Sequence, residues 1–191
     1  MNRIIDSAIT TLVIALFIPC IGYLIDKVIN IVLNTITKYS SSFVSRFIYN
    51  RLTFIGVIHH ELSHALFAFI TGAKIIKIDL FKPQGNTLGS VTFIPRGSKI
   101  TQSIQMTSTA IAPVVIGIIN SYILLFKALA ICDSNFIKGI IIYVIISILI
   151  HSTLSRQDIK NWLRGLPLTV IFIFILVFIT KLNITTLLIP M

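Results

Sequence analysis

The chain of 191 residues contains 55% hydrophobic and only 12% charged residues, and its mean hydropathy is +0.97. Charged residues make up about a quarter of a soluble domain, so this composition excludes an ordinary soluble protein and predicts one compact membrane domain over residues 1–191. The net charge of +10 comes from lysines and arginines scattered singly between apolar runs, without a nucleic-acid-binding motif. We therefore expect these charges to flank helices at an anionic lipid bilayer, and we expect no nucleic-acid partner.

The part of the chain before residue 74 contains two apolar segments, with a mixed stretch between them. Residues 7–25 are long enough to span a bilayer, end at Asp26-Lys27 and lack a cleavage site, which predicts a retained helix. Residues 28–52 mix aliphatic and polar side chains and predict a helical continuation followed by an interfacial amphipathic piece or a membrane-surface linker. Residues 53–70 form the second apolar segment, which the glycine of Thr71-Gly72 terminates.

After residue 73 the apolar residues recur at every second position, as in a β-strand, and no longer at the spacing of a helix. Apolar and polar side chains alternate over residues 74–81 and 88–94, with Pro83-Gln84-Gly85-Asn86 as a turn between them. This pattern predicts a β-hairpin. The hairpin either connects two helices, which the sequence alone favours, or offers an exposed edge that pairs with an extended substrate strand.

Three further apolar segments follow at residues 103–126, 136–150 and 166–180. The sequence thus predicts a mainly α, polytopic transmembrane helical bundle of about five spans, with a short β-hairpin after the second span. With five spans, nine lysines and arginines lie on the side of the hairpin and seven on the other, which favours the hairpin side as cytoplasmic.

The motif that indicates chemistry lies inside the second apolar segment. His60, Glu61 and His64 form an H-E-x-x-H pattern, and Glu61 is the only glutamate in the chain. A helix places residues four apart on one face, where two imidazoles can hold a zinc ion and the carboxylate can reach a water on that ion. Ionisable residues at membrane depth are costly and usually functional. The alternative is a pair of histidines that pack against neighbouring helices beside a protonated Glu61.

A catalytic zinc site needs a third protein ligand. The two cysteines lie far apart in sequence, which argues against a thiolate, and His59 points about 100° away from His60 around the helix, which suits a packing or orienting role. The remaining candidates are Asp79, Asp133, His151 and Asp158. Spacing favours the last two equally. Asp158 has a separate structural interpretation, because Ser155-x-x-Asp158 predicts a capping box that opens a short helix ending at Gly165.

The helix with His60-Glu61-x-x-His64-Ala65, the hairpin and the late aspartate together resemble the site-2 protease family of intramembrane zinc metalloproteases. In that family an aspartate on a later helix is the third ligand, and this position corresponds to Asp158. Two departures are visible. The family's Asn-Pro-x-x-x-x-Asp-Gly pattern around the aspartate is missing, and its Gly-Pro-x-x-Asn pattern is reduced to Ala112-Pro113 with Asn120 displaced.

The resemblance implies an intramembrane zinc endopeptidase of a bacterial cell membrane that acts on a membrane-anchored protein or peptide. It implies Zn²⁺ on His60, His64 and Asp158, and Glu61 as the catalytic residue. The alternative is a non-catalytic metal-binding accessory or immunity protein that retains the fold. Both functions need the two histidines, whereas only the enzyme needs Glu61.

Overall fold

The computed structural model describes residues 3–82 and 88–181. These residues form a helical bundle with one two-stranded antiparallel sheet and two π-helical turns, Ile48–Leu52 and Leu124–Ala128. In chain order the elements are α1 (Arg3–Tyr39), α2 (Ser42–Phe47), α3 (Phe54–Ile70), β1 (Lys74–Asp79), β2 (Ser90–Ile94), α4 (Lys99–Ile123), α5 (Asn135–His151) and α6 (Arg156–Thr180). The predicted fold class is confirmed.

Three of the described helices are long and apolar enough to cross a membrane: α1, α4 with its π-helical turn, and α6. The pair formed by α2 with its π-helical turn and α3 also passes this test, although the chain bends by 53° between the two parts. Helix α5 is apolar but has 17 residues. The chain therefore has the helices of an integral membrane protein, while the count of about five spans stays a prediction.

Helix α1 runs from Arg3 to Tyr39, in agreement with the helical continuation predicted after Asp26-Lys27. The charged pair after Ile25 lies inside the helix, and the Asn30 side chain donates hydrogen bonds to the carboxylate and the backbone carbonyl of Asp26 (3.0 and 2.9 Å). Residues four apart on a helix can satisfy each other in this way. Only 17% of the most apolar window of α1 is buried within the protein, as expected for a helix in contact with lipid.

The chain breaks its helical path at Thr53, just before α3. Two side chains of α5, one helical turn apart, supply the hydrogen bonds that the break leaves open. The Tyr143 hydroxyl donates to the carbonyl of Leu52 (2.6 Å), and the Ser147 hydroxyl donates to the carbonyl of Thr53 (3.0 Å). The Ser147 oxygen also accepts from the N–H of Gly56 (2.8 Å). Helix α5 therefore fixes where α3 begins.

The strands of the hairpin are shorter than predicted, but their pairing follows the expected pattern. Lys74 pairs with Ile94 and Asp79 with Ser90, with an irregularity after Ile75. The predicted turn at residues 83–86 lies outside the described residues. The buried Gln105 side chain of α4 positions the hairpin: it donates to the carbonyl of Thr71 and accepts from the N–H of Arg96, both at 2.8 Å.

The prediction of a short helix ending at Gly165 followed by a separate span is wrong. One helix, α6, runs from Arg156 to Thr180 with Pro167 inside it. Gly165 lies close against α4, since a Cβ atom there would lie 2.5 Å from the carbonyl oxygen of Ser103. The missing side chain thus permits tight packing of the two helices and does not end the helix. A continuation past residue 181 falls outside the described residues.

Candidate metal centre

The H-E-x-x-H motif lies in the middle of α3, as the sequence predicts. The rings of His60 and His64 stand edge to face with centroids 4.7 Å apart, and their Nε2 atoms are 3.1 Å apart. His64 is buried and His60 nearly so. The four-residue spacing thus brings the two Nε2 atoms together on one face of the helix.

Each imidazole is oriented by a backbone carbonyl of a different helix. Nδ1 of His60 lies 2.7 Å from the carbonyl oxygen of His151 at the end of α5. Nδ1 of His64 lies 2.7 Å from the carbonyl oxygen of Thr109 in α4. A carbonyl oxygen only accepts hydrogen bonds, so both Nδ1 atoms carry the proton. Both Nε2 atoms can therefore offer a lone pair to a cation.

Asp158 reaches the same point from the first turn of α6. Its Oδ1 atom lies 3.3 Å from Nε2 of His64, and its Oδ2 atom lies 4.0 Å from Nε2 of His60. The carboxylate is buried. His60, His64 and Asp158 each place one potential ligand atom within 4.8 Å of the others, as a metal site requires.

Asp158 is also the capping residue that its sequence context predicts. Its N–H donates to the Ser155 hydroxyl (3.1 Å), and its Oδ2 atom accepts from the N–H of Ser155 (2.9 Å). The two interpretations of this aspartate are therefore compatible. The capping box holds the carboxylate through Oδ2 and leaves Oδ1 directed towards His64.

The donor atoms of this cluster fit a metal ion. Zinc takes nitrogen and oxygen ligands at about 2.0–2.1 Å, and tetrahedral geometry then places two ligand nitrogens about 3.4 Å apart. The two Nε2 atoms, at 3.1 Å, are close to that separation. Two unprotonated nitrogens and a carboxylate directed at one point repel each other unless positive charge lies among them. Three such side chains are also the number that catalytic zinc sites use.

The structure separates His151 from this cluster, although spacing made it an equal candidate. Nε2 of His151 lies 2.8 Å from the hydroxyl oxygen of Thr53, and that oxygen lies 2.8 Å from the carbonyl oxygen of Tyr49. The ring also packs against Tyr49, with centroids 4.8 Å apart. The His151 side chain thus secures the break before α3, and its backbone carbonyl orients His60.

The remaining candidates also lie elsewhere. Nε2 of His59 is 2.9 Å from the amide nitrogen of Asn120, which ties α3 to α4, in agreement with its predicted packing or orienting role. Asp79 is in β1, where a hydrogen bond from the Lys77 ammonium holds the pKa of its carboxyl below the ordinary value. Neither Asp79 nor Asp133 belongs to the metal-binding cluster found among the described residues.

Glu61 is buried beside the two histidines and faces the hairpin. The backbone of Gly89, next to β2, approaches it so closely that a Cβ atom at this glycine would lie 2.7 Å from Cγ of Glu61. Any other residue at position 89 would push against the Glu61 side chain. Sequence reasoning did not single out this glycine. Its position inside the second predicted strand, residues 88–94, was the available signal.

A cavity of about 1110 Å³ opens onto the cluster. Its walls come from α1, from strand β2 and from the first turns of α6, and His60, Glu61, His64 and Asp158 line it. Ser90, Val91 and Phe93 of β2 contribute to one wall. The cavity exceeds the usual 300–1000 Å³ of small-ligand pockets, so a peptide segment has room beside the cluster.

A family model described as Peptidase M50B-like matches residues 28–190. No curated protein and no solved structure matches. The match covers most of the chain and includes Glu61 and the three residues of the cluster. The chain therefore belongs to the Peptidase M50B-like family, which is a site-2 protease family, and the predicted resemblance is confirmed.

Proposed function

We propose that this member of the Peptidase M50B-like family is an intramembrane zinc endopeptidase, which hydrolyses peptide bonds of a membrane-anchored protein or peptide. The observation that carries the proposal is the convergence of three acceptor groups beside Glu61. The two Nε2 atoms and the carboxylate of Asp158 meet at one point, and that point opens into a cavity. The family match supports the peptidase class.

His60, His64 and Asp158 are the residues that would hold the zinc ion. When bound, zinc would polarise the carbonyl of the scissile bond. It would also lower the pKa of a water molecule, which makes that water a nucleophile at neutral pH. The protein's part is to hold the three donor atoms in place. Hydrogen bonds from Nδ1 of each histidine and to Oδ2 of the aspartate fix all three side chains.

Glu61 is the proposed general base. It follows His60 directly in α3 and lines the same cavity. In this function its carboxylate accepts a proton from the attacking water and then delivers it to the nitrogen of the leaving amine. Burial against Gly89 limits where this carboxylate can point. Such positioned proton transfer contributes about 10²–10⁴-fold to the rate.

Strand β2 is the proposed support for the substrate. A helical substrate keeps its carbonyls in internal hydrogen bonds, so it must unwind before hydrolysis. An unwound strand needs new hydrogen-bond partners, and in the described residues β2 pairs with β1 on one edge only. Ser90, Val91 and Phe93 lie in the cavity wall next to the cluster. This favours an exposed-edge role for the hairpin over a purely connecting one.

In this function the protein is a multi-pass protein of a bacterial cell membrane. The three long apolar helices support insertion into a lipid bilayer. The substrate reaches the cavity from that bilayer, and no nucleic acid takes part. The scattered basic residues serve as contacts to anionic lipid.

The test compares the wild-type protein with Glu61→Gln in detergent. The probe is a fluorescently tagged single-span peptide with a Gly-Pro pair in its membrane segment, and bound zinc is measured by mass spectrometry. We expect one zinc per chain in both proteins and at least a 100-fold loss of cleavage in the variant. Cleavage that survives in Glu61→Gln would contradict the proposal. Zinc in both proteins without cleavage by either would favour the accessory or immunity protein.

A further inference from the structure

The carbonyl oxygen that orients His64 belongs to the interior of a helix. Thr109 is the eleventh residue of α4, which runs from Lys99 to Ile123. In a regular helix its carbonyl would accept a hydrogen bond from the N–H of the residue four positions later. Here it also lies 2.7 Å from Nδ1 of His64, in a fully buried environment. A mid-helix carbonyl does not normally serve a side chain of another helix.

The residue four positions after Thr109 is Pro113. Proline has no N–H, so the helical hydrogen bond to Thr109 cannot form, and the proline ring pushes this carbonyl outward. Pro113 is less than 2% exposed, and the helix that contains it packs on α3. Because Pro113 supplies no N–H and displaces the carbonyl of Thr109 outward, this carbonyl is available to accept a hydrogen bond from Nδ1–H of His64.

The histidine partner of His64 obtains its carbonyl in a different way. His60 donates to the carbonyl of His151, the last residue of α5. The last four carbonyls of a helix have no partner within it, so a free acceptor exists there without a proline. In α4 the acceptor lies far from either end, and a proline is the residue that frees it.

We propose that Pro113 is a positioning residue of the metal centre: by removing one backbone N–H it frees the carbonyl of Thr109 to fix the tautomer and orientation of His64. This inference rests on the proposed function for the presence of the metal. It adds a role for a residue that touches neither metal nor substrate. The loss of an outer hydrogen bond to a metal-binding histidine costs about 10–100-fold in metal affinity.

The test separates the missing N–H from the shape of the proline ring. Pro113→Ala restores the N–H. A second protein carries lactic acid in place of Pro113, which gives the same methyl side chain with an ester oxygen where alanine has its N–H. Pro167→Ala is the matched control, because it restores an N–H inside α6. The carbonyl four positions earlier belongs to Leu163, and within the described residues no histidine donates a hydrogen bond to it.

Zinc affinity by competition with a chelator is the first measurement, and the second is the ¹⁵N NMR spectrum of metal-free protein labelled at histidine. We expect Pro113→Ala to bind zinc about tenfold more weakly and to show His64 partly in the Nε2–H tautomer. The lactic acid protein should stay within about twofold of wild type, as should Pro167→Ala. Pro113→Val, which also restores the N–H, repeats the measurement if Pro113→Ala does not fold.

Equal zinc affinity of wild type and Pro113→Ala would overturn the inference, and so would a lactic acid protein as weak as Pro113→Ala, since the ring alone would then explain the effect. A wild-type protein that binds no zinc at all would instead overturn the proposed function. In that case the tautomer of His64 in the metal-free proteins still decides whether Pro113 positions it.

Discussion

Helices α1 and α3 are both apolar, but different forces hold them in place. Helix α1 has 37 residues, and its most apolar window is 17% buried. Helix α3 has 17 residues and carries a buried glutamate and a buried histidine. It is held at its start by α5, at its end by Gln105, and at both motif histidines by carbonyls of other helices.

This difference shows which contacts compensate for placing polar groups inside a membrane. The backbone hydrogen bonds of α1 lie within the helix, so lipid can surround it without further partners. The helical path is broken at Thr53, just before α3, and α3 carries polar side chains. Groups of neighbouring helices therefore form hydrogen bonds to the open backbone carbonyls and to these side chains. Substitutions at the contacts of α3 should therefore lower stability far more than comparable substitutions in helix faces without such contacts.

Gly56 is the contact where we expect the largest effect. A Cβ atom there would lie 1.9 Å from the backbone carbonyl oxygen of Ser147, which cannot move without displacing α5. Gly56→Ala should lower the free energy of unfolding by about 3 kcal/mol or prevent folding. In Gly139→Ala, the matched control, the new methyl group meets no atom within 4 Å. That variant should be stabilised by about 0.5–1 kcal/mol, because alanine favours a helix. Thermal unfolding in detergent measures both, and equal stability would contradict the role of α5.

Ser147 tests the polar side of the same contact. Ser147→Ala removes the hydrogen bonds that join this buried hydroxyl to the N–H of Gly56 and to the carbonyl of Thr53, and it should lower the free energy of unfolding by about 1–2 kcal/mol. The control is Thr35→Ala in α1, where the hydroxyl only donates to the carbonyl of Ile31 four residues earlier. We expect a change within about 0.5 kcal/mol there. A larger loss in the α1 variant than in the α5 variant would reverse the comparison.

His151 is expected to give the smallest effect and to separate stability from metal binding. His151→Phe keeps a ring against Tyr49 but removes the hydrogen bond to Thr53. The free energy of unfolding should fall by about 1 kcal/mol, while bound zinc stays at one per chain because only the backbone carbonyl of residue 151 serves His60. Loss of zinc in this variant would mean that the His151 side chain takes part in the site.

Much of the fold and of the cluster was predictable from patterns within short stretches of sequence. The apolar segments, the hairpin and the capping box at Ser155 each depend on residues within a few positions of one another. The pairing of His60 with His64 depends on one helical turn. In each of these cases local geometry is enough to predict the structure.

The rest depends on contacts between distant residues. Spacing could not choose between His151 and Asp158, because the choice is made by the hydroxyl of Thr53, about 100 residues before either. The continuity of α6 was mispredicted because Gly165 reads as a helix end in sequence, whereas it is a packing site for α4. The carbonyls that orient the histidines are backbone atoms, so the side chains of Thr109 and His151 do not reveal this role.

The most direct test of the metal centre is X-ray absorption at the zinc edge of the purified, zinc-loaded protein. The proposed site predicts two imidazole nitrogens and oxygen ligands at about 2.0–2.1 Å, without sulfur. It also predicts that Asp158→Ala removes an oxygen ligand or the zinc itself. A spectrum with three imidazoles, or one that is identical in wild type and Asp158→Ala, would contradict the assignment of His60, His64 and Asp158 as the zinc ligands.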